Sequence, residues 1–268
     1  MGFLAEIVKA TWEEVLDPTY GSHVPPRAPG KKPNFREAVE RDRRAGALVV
    51  EYKRFSPGHR DPELPVRSVE EFVRATEPAG VTAYSCLATR PRFAGSPEDV
   101  ASLARATRRP VLFKDFVLDP RQLDVAAEAG ASAVLLIARL ATGGHLKVPL
   151  SDLAEAAHAR DLEVLLEFHD KAELSEGEHV AADMFGVNVR DLDSLEIARP
   201  VAVATIHAAA EQGLRPLLGL SGVESQEDAQ RFWSSDVDGI LVGTAVARAS
   251  HPADFLASLR PRSPRRPA

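Results

Sequence analysis

The stretch Val49-Val50-Glu51-Tyr52-Lys53-Arg54-Phe55-Ser56-Pro57 ends an apolar run with two opposite charges set two residues apart. Gly46 precedes the run and Pro57-Gly58 closes it, which predicts a buried strand with a turn beyond. In a strand, residues two apart share a face, so Glu51 and Lys53 point the same way. Burying a carboxylate and an ammonium is costly unless they are paired or used. A strand end that presents both therefore predicts a site.

Working outward, the chain repeats one pattern from Gly46 on: a short apolar strand, then an amphipathic helix. Strands are predicted at Ala47 to Tyr52, Val81 to Cys86, Val111 to Phe113, Ala133 to Ile137, Glu163 to Leu166, Met184 to Val187, Pro216 to Gly219 and Gly239 to Val242. Helical spacing fills Val69 to Thr76, Pro97 to Ala106, Pro120 to Ala129, Leu150 to Ala159, Ala198 to Gln212 and Gln226 to Trp233, several starting at Ser, Asp or Pro. Eight such units closing on themselves give an α/β fold, the (β/α)8 TIM barrel, with function at the C-terminal strand ends. Residues 46–260 are read as this barrel. Residues 1–45 are read as an N-terminal helical extension: an amphipathic helix ending before Asp17-Pro18, a Pro-rich linker from Tyr20 to Pro33, and a short helix over Phe35 to Arg44. The Pro- and Arg-rich tail, 261–268, is expected to be disordered.

The strand ends collect polar side chains. They are Glu51, Lys53 and Ser56; Ser85 and the loop Phe93-Ala94-Gly95-Ser96; Lys114-Asp115; Arg139; Glu167 and His169; Asn188 and Arg190; Ser221-Gly222; and Gly243-Thr244. Any one of them could be a salt bridge closing the barrel end, but together they predict a functional mouth. The two Gly-containing turns after the last two strands suit a phosphate held on backbone N–H groups, the plainer reading being tight turns. Lys114 sits among apolar residues, which is expected to lower its pKa and suits a general acid or a Schiff-base nucleophile. An ion pair with Asp115 is disfavoured because adjacent strand residues face opposite ways. Glu167 suits a general base if burial tunes it. His169 is read as structural or helix-entering, and His207, on a helix among alanines, as surface or core filler.

Composition narrows the class. The 268 residues, 44% of them hydrophobic, suffice for one large core. A net charge of -6 gives no reason to expect nucleic acid or an anionic membrane. The single Cys86 allows neither an internal disulfide nor a cysteine-built metal site, and no His/Asp/Glu cluster has metal spacing, so no metal and no cofactor are expected. No apolar run reaches the length of a membrane span, and a cytoplasmic protein is expected.

Taken together, Glu51-Tyr52-Lys53-Arg54 with Ser56-Pro57, Phe93-Ala94-Gly95-Ser96, Lys114-Asp115-Phe116, Glu167-Phe168-His169-Asp170, Gly186-Val187-Asn188-Val189-Arg190-Asp191-Leu192, Ser221-Gly222 and Leu241-Val242-Gly243-Thr244 resemble the indole-3-glycerol phosphate synthase family. The resemblance spans nearly the whole chain in the family's order. It implies a helical extension over the barrel mouth and a carboxy-lyase of tryptophan biosynthesis. That enzyme closes the ring of 1-(2-carboxyphenylamino)-1-deoxyribulose 5-phosphate to indole-3-glycerol phosphate, with loss of carbon dioxide and water. It further implies Lys114 as general acid on the substrate carbonyl and Glu167 as carboxylate base. Glu51 and Lys53 would assist dehydration and hold the anionic substrate, while Asn188 and Arg190 orient it. Ser56, Ser221, Gly222, Gly243 and Thr244 would contact its anionic groups, chiefly phosphate, and Phe93 and Phe116 would line the substrate site.

Two departures stand out. Leu220 occupies a position where the family usually carries Glu, and the loop Ala88-Thr89-Arg90-Pro91 lacks an acidic residue usual there. Two other readings remain open at this stage: another phosphate-binding barrel such as phosphoribosylanthranilate isomerase, and an inactive barrel kept as a binding partner. The expected partner is a small phosphorylated anionic substrate, met by a monomer.

Overall fold

The computed structural model describes residues 2–27, 30–57, 63–65 and 67–262. Gly58, and residues 263–268 of the expected tail, lie outside the described residues. Strands β1 (Ala47–Tyr52), β2 (Ala83–Leu87), β3 (Val111–Lys114), β4 (Ala133–Ile137), β5 (Glu163–Phe168), β6 (Met184–Asn188), β7 (Leu217–Leu220) and β8 (Gly239–Val242) close into one parallel barrel in sequence order, with β8 pairing β1. All eight predicted strands are present, and most differ from expectation by one or two residues at their ends.

Nearly every strand residue is buried because a parallel sheet is covered on both sides, by helices outside and by its own side chains within. Alternation sorts them. Leu48, Val50 and Tyr52 join an outer cluster against the helices, whereas Ala47 and Val49 join an inner cluster on the barrel axis with Ala83, Leu112, Leu165 and Leu218. Glu51 and Lys53 continue the inner row, so their two-residue spacing delivers both to the mouth.

Helices α1 (Phe3–Val15) and α2 (Phe35–Asp42) precede β1. Between strands come α3 (Val69–Thr76), α4 (Pro97–Ala106), α5 (Pro120–Glu128), α6 (Ala138–Thr142), α7 (Leu150–His158), α8 (Arg199–Glu211) and α9 (Gln226–Ser234), and α10 (Thr244–Arg248) and α11 (Pro252–Ser258) follow β8. A 3-10 stretch, Lys171–Glu178, links β5 to β6. Local chemistry sets the starts: Ser68 and Asp119 form capping boxes on α3 and α5, and Ser96 and Ser225 cap α4 and α9. The short α6, α10, α11 and the 3-10 stretch escaped the sequence reading, since helices of one or two turns carry too little periodicity.

The extension divides between the two barrel ends. Helix α1 lies over the mouth, where Phe3 meets Phe93 edge to face at 6.1 Å, Glu6 pairs with Arg92 at 3.0 Å, and Lys147 sits 3.7 Å above the Trp12 ring. Leu16, just past the end of α1, is exposed. The chain then passes α5, with Gly21 against Val125 and the Arg27 N–H donating to Glu128 O at 2.9 Å. Helix α2 reaches the opposite end, where the N–H groups of Phe35 and Arg36 donate to Glu163, the first residue of β5. Phe35 and Val39 enter the inner cluster there, as Leu4 and Ile7 of α1 do at the mouth. The inner core is therefore one column, closed by a helix at each end. Among the described residues, no helix is long and apolar enough to cross a membrane.

Phe35 is fully buried at the base of this column. Phe35→Ala is expected to cost about 3–5 kcal/mol of stability, read as a lower denaturant midpoint, with little change in the catalytic constants of the folded fraction.

Candidate active site

Glu51, Lys53, Ser56, Phe93, Lys114, Phe116, Glu167, Asn188, Arg190 and Ser221 line one cavity at the barrel mouth. Gly222, Gly243 and Thr244 line an adjoining hollow that shares Glu51, Lys53, Arg190 and Ser221 with it. The thirteen residues singled out from sequence thus meet in two connected spaces.

Each is aimed by its element. Lys114 and Asn188 end β3 and β6, and Glu167 is the penultimate residue of β5. Gly95 is required behind Phe93, because a Cβ there would sit 2.4 Å from the Leu87 carbonyl oxygen. Phe93 in turn faces Phe116 at 6.0 Å and Phe3 on its other side, giving an aromatic wall contributed partly by α1. Gly243 is required for a different reason, since a Cβ would come within 2.7 Å of Glu51 Oε1 and 3.0 Å of Lys53 Cε. Ser56 and Thr244 are brought together hydroxyl to hydroxyl at 2.9 Å, and Ser221 holds a left-handed φ of 66°. The Arg190 guanidinium donates to Leu195 O at 2.7 Å, while its own N–H donates to Asn188 Oδ1 at 3.0 Å.

The charges form a chain. Glu51 contacts Lys53 at 3.0 Å and Lys114 at 3.5 Å. Burial pushes the Glu51 carboxyl up, but the two ammonium groups outweigh it and hold the group below its ordinary value. Burial wins at Lys53, whose pKa is lowered despite Glu51. At Lys114 the balance reverses: burial lowers it, yet Glu51 and Glu167 together leave it raised. The sequence expectation of a lowered Lys114 is thus overturned, because its apolar chain neighbours count for less than carboxylates delivered by β1 and β5. Glu167 is corrected likewise: burial raises it, but His169, Lys114 and Asn188 leave it lowered, so it is held ionised. One of its oxygens, Oε2, is buried without a hydrogen-bond partner among the described residues.

Other strand-end candidates fall outside the cavity's chemistry. Arg139 binds Asp170 at 2.7 Å, Glu173 at 2.5 Å and Asp191 at 2.9 Å. Asp115 accepts from Thr89, Phe116 N–H and Gln122, so it braces the loop after β2 and does not pair with Lys114. Ser85 is fully buried in the barrel wall, and His207 is exposed. His169 is more than a helix-entry residue, since it lies 3.3 Å from Glu167 and 3.2 Å from Glu173.

Sequence reasoning missed Phe3, Leu192 and Glu224. Phe3 shares a helical face with Ile7 and was detectable by that spacing. Leu192 lies within a quoted motif and adds to the apolar lining. Glu224 lines the hollow and acts electrostatically on Arg190, whose pKa burial lowers. Nothing in its loop context signalled that role. Among the described residues, no group of three or more His, Cys, Asp or Glu side chains is arranged to hold a metal ion.

The family model for indole-3-glycerol phosphate synthase matches residues 6–259. An indole-3-glycerol phosphate synthase from Exiguobacterium sibiricum is 36% identical over 210 residues, covering 78% of this chain and 79% of that one. One from Staphylococcus aureus is 35% identical over 229 residues, covering 85% of each. A thiamine phosphate pyrophosphorylase structure from Pyrococcus furiosus aligns with a TM-score of 0.58 at 19% identity, covering 81% of this chain and 94% of that one, a likeness of fold alone.

If Glu51 sustains the Lys114 ammonium, Glu51→Gln should lower the Lys114 pKa. With only seven lysines in the chain, NMR titration of the lysine side chains can resolve it. An unmoved Lys114 would show that Glu51 is not what holds its proton.

Proposed function

The chain belongs to the indole-3-glycerol phosphate synthase family, and from that premise we propose how its own residues close the ring of 1-(2-carboxyphenylamino)-1-deoxyribulose 5-phosphate. Lys114 acts as general acid. Attack of the aryl carbon on the substrate carbonyl develops negative charge on the carbonyl oxygen, and the raised Lys114 pKa supports a proton being present to meet it. The carboxylate carbon then leaves as carbon dioxide. Dehydration removes the former carbonyl oxygen as water and needs a carboxylate to accept a proton. Glu167, ionised and with Oε2 lacking a hydrogen-bond partner among the described residues, is the base this reading assigns, with Glu51 and Lys53 assisting.

The observation that carries the proposal is the alternation of charge from Lys53 through Glu51 to Lys114, with Glu167 beyond. It offers an acid and a base across one cavity, both in the protonation state their roles need. The aromatic wall of Phe3, Phe93 and Phe116 suits the substrate's aryl ring. Asn188 and Arg190 orient carboxylate and hydroxyl groups. The hollow of Ser221, Gly222, Gly243 and Thr244, with Ser56 beside Thr244, suits the phosphate. All of these residues come from one chain, so the reading needs only a monomer, and a small phosphorylated metabolite as substrate agrees with a cytoplasmic enzyme.

The test is incubation with the carboxyphenylamino substrate, followed by indole fluorescence. Lys114→Ala and Glu167→Gln are each expected to lower turnover by a factor on the order of 10² or more with the fold intact. A folded variant with near-normal turnover would remove that residue from its role.

The phosphate assignment has its own test. Gly243→Val drives carbons against Glu51 and Lys53 and blocks the hollow. It should raise KM for the substrate and abolish competitive inhibition by inorganic phosphate. Unchanged inhibition by phosphate would place the anion elsewhere.

A further inference from the structure

The imidazole of His169 is buried between two carboxylates. Its Nδ1 is hydrogen-bonded to Glu173 Oε2 at 3.2 Å, while its Nε2 lies 3.3 Å from Glu167 Oε1, an ion-pair contact without hydrogen-bond geometry. The His169 N–H also donates to Glu173 Oε2 at 2.8 Å, which ties the ring's backbone to the same oxygen. Glu173 is held in turn by Arg139 Nε through its other oxygen. Arg139 is itself fixed by Asp170 and Asp191, so the series Arg139, Glu173, His169, Glu167 is anchored away from the cavity and alternates in sign.

A neutral imidazole carries a proton on one nitrogen and a lone pair on the other. Facing two carboxylates, the lone pair would point at an anion. The cation alone lets both nitrogens donate.

We propose that His169 is a positioning residue for the ring-closing reaction: it acts through Glu167, bracing the carboxylate on its Oε1 side and supplying the positive charge beside it. The inference rests on Glu167 being the base. By occupying the Oε1 side, His169 leaves Oε2 as the buried acceptor without a partner among the described residues. The groups that face the ring are Glu167 on β5 and Glu173 on the 3-10 stretch, with Arg139 of α6 behind Glu173 and Lys114 of β3 acting on Glu167 from across the mouth. Burial opposes the imidazolium, yet the two carboxylates raise its pKa to about 9. A raised histidine stabilises the fold fully below its ordinary value of about 6.5, and that stabilisation is lost as pH rises through about 9.

The experiment compares the natural enzyme with His169→Gln, Glu173→Gln and Glu167→Gln. NMR of the histidine ring nitrogens should show His169 in the natural enzyme doubly protonated at pH 8. His169→Gln keeps a donor but loses the charge. Its acid limb in kcat/KM should move up by about one pH unit, so that turnover falls roughly tenfold on the acid side of the limb and recovers toward neutral pH, and KM should stay within about threefold. Glu173→Gln, which leaves the ring in place, should shift the limb in the same direction by less. A fall in turnover that is uniform across pH, with the acid limb unmoved in both variants, would reduce His169 to packing and overturn the proposal. So would a neutral His169 at pH 7. Glu167→Gln separates the two levels of argument. If it is inactive while the other variants keep the natural profile, this inference alone fails. If it retains turnover, the base assignment fails and takes the positioning role with it.

Discussion

Burying seven charges beneath a barrel mouth is possible here because they alternate. Arg139, Glu173, His169 and Glu167 form one run and Lys114, Glu51 and Lys53 another, and Glu167 and Lys114 act on each other between them. An isolated charge in such a place costs several kcal/mol, and removing one member of a buried pair leaves its partner with that cost. The alternation makes every member depend on its neighbours for its protonation state. It also explains the contrast between the two lysines: Lys114 has carboxylates on two sides and is raised, whereas Lys53 has one and is lowered.

The barrel supplies the geometry that this chain of charges needs. A period of two along each strand points Glu51 and Lys53 inward, and parallel strands bring β1, β3, β5 and β6 to a common rim. Helix α1 adds Phe3 and closes one side of the cavity, while α2 seals the far end of the same inner column. Dividing the N-terminal segment between both ends couples the rim to the base.

Much of this was legible along the chain. Strand and helix positions follow from periodicity and caps, and the rim residues follow once strand ends are known. Pairing across strands was not legible. The apolar neighbours of Lys114 argue for a lowered pKa, but Glu51 is sixty-three positions away and Glu167 fifty-three, and their charges prevail. An amphipathic segment such as Phe35 to Asp42 announces that one face is buried without saying against which end of a barrel. Phe3 is the first residue of α1, where apolar spacing marks a buried face without naming what that face meets. Glu224 reaches Arg190 through a loop whose path no local signal fixes.

Leu220 shows how the pairing logic treats a departure from the family pattern. It is almost fully buried in the inner cluster, level with Asn188 across the β6–β7 pairing and close against Gly186. A carboxylate there would have to be desolvated beside an apolar column. With leucine, the column continues to the rim, and Lys53, Lys114 and Arg190 face the carboxylates of Glu51 and Glu167, leaving one positive charge in excess among these five. Glu224, in the hollow beside Arg190, brings that count to balance from a half-exposed loop. A carboxylate on a loop that water can reach costs less to charge than one on the strand. Lys114 and Glu167, the acid and base proposed above, sit on other strands, so the exchange alters the field around the mouth while that pair keeps its own partners.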